Sequence, residues 1–436
     1  MLRSVTLLSL LCLFGVSTTP VMGQDITPAV DGYVTRSVSV SDFDVNGLRV
    51  ICGQKSKGRE DCSGLPGAAG EAPPIGERLQ IYGEVRGRTV RADIIGAPSP
   101  SDKVSGFAIV DKVLSRSDSG EILVRADGYP VLIYEKTLTN FNPPLKTLSD
   151  IGTNVWIAFS GRQRGDGVVV AAKAAFTANA FTATEEKMDA RVNYDPSAVS
   201  QDAKQNKWHE AVTGRPDIKK IPPGSDAAVQ ARVEAIGKKL IPEYQRVLPD
   251  SDRDKIHFRF QVVRDNHFHL LDALAMPNGI ILVPRPVIDR LQNDSQLATV
   301  LADNIAGVLE KQDVREMPTR TALTAMEWAG LGGGAFVPGL GLATTAAHYG
   351  ISSSIYHRQL EQSGRVSLSL LHDAGYDLNE APMTWWLLAP KHPGKNLEMP
   401  IPERAAYLYG ILGTTWRDRM GVPATGKPVA GDVASK

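Results

Sequence analysis

The residues best suited to metal chemistry are a few histidines and acidic side chains in the C-terminal half of the chain. His267 and His269 flank Phe268, so on a strand both imidazoles would share one face and could bind a metal. No third ligand stands nearby in the sequence, so exposed or hydrogen-bonded histidines are the simpler interpretation. Three further histidines could approach Asp303 in the folded chain, namely His348, His357 and His372. No Ser-His-Asp grouping stands out, and such a triad is recognised by geometry rather than by spacing.

The segment that positions Asp303 has the spacing of an amphipathic helix. Its apolar and polar residues fall on two different faces: Leu297, Leu301, Ile305 and Val308 on one, and Gln296, Thr299, Asp303, Gly307 and Glu310 on the other. The simplest expectation is a core helix with one solvated polar face. The alternative is a helix whose polar face forms the floor of a cleft, where an extended peptide could add to the edge of a neighbouring hairpin.

The segments around this helix occur in a distinctive order. A helical pattern over 227–240 leads to a strand over 257–263 and to a hairpin within DALAMPNGIILVPRPVIDRL. The helix NDSQLATVLADNIAGVLEKQ follows, and then come YHRQLEQSGR at 356–365, AGYD at 374–377 and the pair His392-Pro393. In this order the segments resemble metallopeptidase family 48, the gluzincins, which include the heat-shock protease HtpX and relatives of the CAAX prenyl protease. The resemblance covers roughly 225–418, under half of the chain.

The resemblance implies a zinc peptidase site whose ligands this sequence lacks. In the family, an H-E-x-x-H motif places two histidine ligands on one side of a helix and a glutamate that activates water. Asp303, Asn304 and Gly307 stand at the corresponding positions, while Ser363 replaces the third ligand of the E-x-E-A-D motif and Arg365 replaces its Asp. We therefore expect no catalytic residue and no cofactor, and we interpret Asp303, Asn304, Gly307 and Ser363 as a remnant cleft. The alternative is an active metalloendopeptidase that binds zinc through substitute ligands, for instance Asp303 with histidines from elsewhere.

The first 23 residues have the pattern of a secretory signal peptide. Arg3 precedes an apolar run over 5–16, which is too short to span a membrane, and small residues lead to a cleavage point after Gly23. Cys12 follows Leu11, which argues against a lipidated cysteine. We expect a secreted or periplasmic protein in which Cys52 and Cys62 form a disulfide.

Two tandem β-barrels are expected before the peptidase-like region. Short alternating strands separated by glycine turns fill 32–97 and again 104–181, and both blocks end in a strand, a glycine turn and a further strand. We interpret them as OB-like barrels, which in other proteins bind nucleic acids or sugars. Stacking aromatic residues and basic side chains are sparse here, so a spacer or docking role is expected, and an envelope-binding role of the barrels is the alternative.

The charge balance and two apolar segments carry further expectations about partners and packing. The chain carries 48 Lys and Arg against 48 Asp and Glu, a net charge of zero, which argues against nucleic acid as a partner. The small-residue segment 328–351 is expected to form a packed helical hairpin, with peripheral membrane contact as the alternative. Trp385 and Trp386 are expected in the core.

The sequence thus predicts an α+β protein. Two N-terminal OB-like barrels precede a linker over 182–224, a mostly helical gluzincin-like domain with a small hairpin sheet over 225–420, and a disordered tail over 421–436. The predicted function is that of a secreted or periplasmic, catalytically inactive metallopeptidase-like protein that binds a peptide or protein partner.

Overall fold

The structure is a computed structural model that describes residues 28–52, 62, 70–97, 102–118, 120–178, 224, 226–264, 272–315, 358–389, 401–414 and 416. The predicted signal peptide, the segment 328–351, the pair His392-Pro393, the tail over 421–436 and nearly all of the linker lie outside the described residues. The described elements form two five-stranded closed barrels followed by a helical region with a small sheet, which confirms the predicted α+β class.

The first barrel is built from β1 (Val30–Ser39), β2 (Asp42–Val45), β3 (Leu48–Cys52), β4 (Arg78–Arg86) and β5 (Thr89–Gly96). Its strands follow the order β1-β2-β3-β5-β4, with β3 and β5 parallel and β1 pairing with β4 to close the ring. The β2–β3 turn at Asn46-Gly47 has φ angles of 51° and 72°, the left-handed pair that suits a tight hairpin turn. The predicted disulfide joins Cys52 to Cys62, with 5.1 Å between their Cα atoms.

The second barrel repeats the strand order of the first. It contains β6 (Lys103–Arg116), β7 (Ile122–Ala126), β8 (Tyr129–Ile133), β10 (Trp156–Gln163) and β11 (Val169–Thr177), and β11 pairs with both β8 and β10 to complete the ring. An additional strand, β9 (Leu138–Phe141), pairs in parallel with β11, and a 3₁₀ turn follows at Leu148–Asp150. The shared order, with the third and fifth strands parallel, makes both barrels OB-like.

The C-terminal region surrounds a three-stranded sheet with helices. Its elements are α1 (Ala227–Leu240), α2 (Glu243–Val247), β12 (Arg259–Val263), β13 (Leu274–Ala275), β14 (Ile280–Pro284), α3 (Arg285–Ile288), α4 (Asp294–Leu309), α5 over 358–373, α6 (Glu380–Leu388) and α7 (Ile401–Gly413). The sheet order is β12-β14-β13, so the fully buried β14 is central and β13 lies at an edge. Within the described part of the chain, no helix has the length and apolar character needed to cross a membrane.

Helix α4 forms the centre of this region, and the expectation of a solvated polar face was wrong. Asn293 caps its first turn by accepting a hydrogen bond from the backbone amide of Gln296. Gln296, Thr299 and Glu310 expose 2%, 0% and 1% of their surfaces. Their polar atoms bond inside the protein: the Gln296 amide donates to Glu380 at 2.7 Å, and Glu310 accepts from the backbone amide of Ile109. These three residues are therefore covered by other elements, and internal hydrogen bonds replace water around them.

Both barrels dock against the C-terminal helices. From the second barrel, Asp127 accepts two hydrogen bonds from Arg365 of α5, at 2.7 and 2.8 Å. Asp127 strongly favours the charged guanidinium and raises the pKa of Arg365 although burial opposes it. From the first barrel, the Tyr33 ring lies 5.4 Å from the Tyr407 ring of α7. Each barrel is thus in direct contact with a helix of the C-terminal region.

Candidate binding cleft

A cleft of about 280 Å³ lies between α4, α5, α7 and the edge of the small sheet. All four residues that the sequence analysis singled out line it: Asp303, Asn304, Gly307 and Ser363. The helical repeat of α4 brings the first three to the cleft within about one turn, and α5 brings Ser363 from the opposite side. Ala273, Leu274 and Ala275, in and next to the edge strand β13, line the third side.

Asp303 and Ser363 are directly bonded across the cleft. The Ser363 hydroxyl Oγ lies 3.1 Å from Asp303 Oδ1 and donates to it. Both side chains are largely buried, with 8% of Asp303 and 3% of Ser363 exposed. This hydrogen bond joins α4 to α5 across the cleft.

The other two predicted residues offer no reactive group to the cleft. Asn304 Nδ2 donates to the Val300 carbonyl one turn earlier, at 2.9 Å, and a carboxamide does not take up a proton near neutral pH. Gly307 has no side chain, and a Cβ atom built there would meet only Gln312 Oε1, at 3.3 Å. The cleft therefore has open space beside α4 where a side chain is absent.

Sequence reasoning missed the residue that dominates the electrostatics of the cleft, Arg404. Its Nη1 donates to Asp272 Oδ2 at 3.0 Å and its Nη2 donates to Asp303 Oδ2. The guanidinium carbon also lies 3.7 Å from the centre of the Trp385 ring. A signal was present, because Arg404 shares a helical face with the apolar residues Leu408 and Ile411. Trp385 is 1% exposed, as expected of a core residue.

Of the histidines considered as substitute ligands, His372 is the one that lies within the described residues. His372 Nδ1 lies 3.4 Å from Asp373 Oδ1, its ring lies 5.9 Å from that of Trp416, and the residue does not line the cleft. His267, His269, His348 and His357 lie outside the described residues. Among the residues that are described, no three His, Cys, Asp or Glu side chains are grouped as metal ligands would be.

The described residues that line the cleft do not fit a zinc ion. Tetrahedral zinc sites use three or four histidine, cysteine or carboxylate ligands. At the resembling positions there is one carboxylate, Asp303, and both of its oxygens already accept hydrogen bonds from Ser363 and Arg404. A divalent cation at this carboxylate would also lie beside a buried positive charge. We derive no chemical step through a metal.

The comparison with known proteins indicates a distant relation to peptidases. No family model matches the chain. A Vibrio cholerae protein named as a candidate beta-barrel assembly-enhancing protease is 26% identical over 193 residues, which is 41% of this chain and 38% of that relative. The chain thus covers well under two thirds of the relative's length. The similarity supports a distant relation to peptidases, in agreement with the resemblance found in the sequence.

Proposed function

We propose that this protein is a catalytically inactive, metallopeptidase-like protein that binds an extended peptide or a protein partner in the cleft. The observation that carries the proposal is the use of Asp303. Both of its oxygens are held by protein donors, Ser363 on α5 and Arg404 on α7. A carboxylate held in this way contributes to the shape of the cleft and is not free to activate a water molecule or to ligate a metal.

The wall of the cleft suits an extended chain. β13 pairs with β14 on one side, through Leu274 with Leu282 and Ala275 with Ile281. Among the described strands it has no second neighbour, and its residues line the cleft. An extended peptide could add to such an edge by backbone hydrogen bonds, with the small side chains of Ala273 and Ala275 leaving room for its approach.

The comparison supports the proposed class of partner, and the cysteine pair supports the proposed location. The name of the Vibrio cholerae relative refers to beta-barrel assembly, so we propose a segment of a β-barrel polypeptide as the partner. The disulfide between Cys52 and Cys62 is compatible with a compartment outside the cytoplasm, where the predicted signal peptide would direct the chain.

The decisive experiment combines binding with hydrolysis. The full chain is titrated with an array of eight-residue peptides tiled from β-barrel polypeptides, and each peptide is then checked for cleavage with and without a chelator. We expect binding of a subset of peptides and no cleavage. Stoichiometric zinc with chelator-sensitive cleavage would refute the proposal that the protein is catalytically inactive. An array in which no peptide binds would refute the proposal that it binds an extended peptide.

A pair of glycine variants locates the binding. Gly307→Phe places a ring in the cleft and should abolish the binding of peptides that the wild type binds. Gly413→Phe is the matched control, because Gly413 also lies in a helix and a Cβ built there meets no atom within 4 Å. Equal binding by the two variants would place the peptide site elsewhere on the molecule.

A further inference from the structure

Arg404 is a buried cation with several close partners at the wall of the cleft. It is 7% exposed, and its guanidinium bonds to Asp303 and Asp272 and stacks on the Trp385 ring. Burial alone would favour loss of its proton, but Asp303 and Asp272 outweigh this and raise the pKa of Arg404. Arginine suits such a site because it stays charged and because its planar donors can serve two carboxylates while its face lies on an aromatic ring.

The contacts of Arg404 connect three elements that enclose the cleft. Asp303 belongs to α4, Asp272 lies just before β13, and Arg404 itself belongs to α7. A structural metal ion in a protein also holds together carboxylates from separate segments. Here the cation is a side chain, and it bonds to the residue that stands at a metal-ligand position in the resembling family.

We infer that the Arg404 guanidinium replaces the metal ion in this cleft, holding Asp303 and Asp272 together and excluding divalent cations from them. The inference deepens the proposed function and rests on it for the interpretation of Asp303 as a former ligand position. The physical basis is direct: a divalent cation bound to Asp303 would lie within a few ångströms of a like charge in a partly desolvated site, where repulsion is strong.

The inference predicts that rebuilding a ligand does not restore zinc binding while Arg404 remains. Gly307→His introduces an imidazole one turn after Asp303, and the only atom near a Cβ at this position belongs to the flexible Gln312 side chain. Gly307→His alone should bind zinc only weakly. Gly307→His combined with Arg404→Met, which keeps an apolar stem over Trp385 and removes the charge, should bind zinc at least about tenfold more tightly than Gly307→His alone, with the imidazole and the two carboxylates as ligands.

Isothermal titration with zinc chloride measures the zinc affinity of each variant. Metal analysis after dialysis measures how much zinc each variant retains. The matched control is Gly307→His combined with Arg404→Lys, which keeps the positive charge and should bind no zinc. The inference is overturned if Gly307→His alone binds zinc as tightly as the Arg404→Met combination. It is also overturned if the folded Arg404→Met combination binds no more zinc than the single variant.

A second measurement covers the case in which removal of Arg404 prevents folding. Removing Asp272 and Asp303 as well, by Asp→Asn changes in the Arg404→Met background, takes away the repelling carboxylates. If Arg404 acts through its charge, this triple variant should regain stability over Arg404→Met, as measured by its melting temperature. No recovery would show that Arg404 acts by packing alone and would refute the inference. A failure of wild-type peptide binding would refute the proposed function and leave these zinc measurements unaffected.

Discussion

Ser363 donates a hydrogen bond to Asp303 across 3.1 Å, although 60 residues separate them in the chain. One residue lies on α5 and the other on α4, and a long stretch outside the described residues connects these helices. The motifs of the resembling family place these two positions around one metal ion. In this protein the two positions are still neighbours, and a hydrogen bond between a hydroxyl and a carboxylate joins them.

The Asp127–Arg365 pair should be a major contributor to the docking of the second barrel. Asp127 is almost fully buried and Arg365 is 12% exposed at its side chain, so removing one partner leaves a buried charge. Arg365→Ala should lower the free energy of unfolding by about 3–5 kcal/mol. Arg162→Ala is the control, because Arg162 forms an exposed pair with Asp102 and should cost less than about 1 kcal/mol. Urea unfolding measures both, and equal losses would contradict the prediction.

Gly76 should be needed for the docking of the first barrel on α7. It has a φ of +89°, and a Cβ there would lie 2.7 Å from the Ala406 carbonyl oxygen. Gly87 is a matched control, since its φ is +61° and a Cβ there would meet no atom within 4 Å. Both Ala variants carry the cost of a left-handed residue, about 1–2 kcal/mol, and Gly76→Ala should carry about 1–3 kcal/mol more for the clash. The melting temperatures of the two variants test the prediction, which is wrong if Gly87→Ala is destabilised as much as Gly76→Ala.

Glu403 should make the protein less stable as the pH rises from about 5 to about 8. Burial, and then the nearby Glu361, raise the pKa of Glu403 to about 8 in the folded protein. Because the folded state holds this proton more tightly than the unfolded chain, the stabilisation is complete below the unfolded pKa near 4.5 and is lost as the pH passes the folded pKa. Each unit of pKa difference corresponds to about 1.4 kcal/mol.

The measurement compares unfolding free energies of the wild type and Glu403→Gln at several pH values. The variant should gain stability relative to the wild type as the pH increases over this range. Glu71→Gln, which changes an exposed glutamate, serves as the control for the substitution itself. A Glu403→Gln difference that does not depend on pH would show that the proton on Glu403 is not linked to folding.

The disulfide should stabilise the first barrel measurably. Cys52 and Cys62 are both buried and close a short loop with a sequence separation of 10 residues. Replacing both with Ala should cost about 2–4 kcal/mol by increasing the freedom of the unfolded chain. Thermal unfolding of the wild type with and without reductant should reproduce the loss, and the double variant should be insensitive to reductant. If reductant also destabilised the double variant, the loss of stability in the wild type would have a cause other than this disulfide.

Local pattern predicted much of the fold. The helix over 227–240 agrees with α1, and the Pro277-Asn278-Gly279 turn joins β13 to β14 as expected, with Gly279 at a φ of +87°. Alternation and glycine turns indicated both barrels, because a strand half buried in a small barrel shows a period of two. The polar face of α4 was misjudged because amphipathicity identifies which residues share a face and not what covers that face.

The sequence by itself determined the order of the elements, the two barrels and the cysteine pair, since each depends on short-range spacing or on the types of residues at known intervals. The resemblance to the metallopeptidase motifs indicated four of the positions that line the cleft. Only the tertiary structure decided that Arg404 and Asp272 meet Asp303. These residues lie on separate segments, 132 residues apart for Arg404 and Asp272 and 101 for Arg404 and Asp303, and spacing carries no information about pairing at that distance. Folding brings them together because a buried guanidinium is stable only where carboxylates from the surrounding elements neutralise its charge.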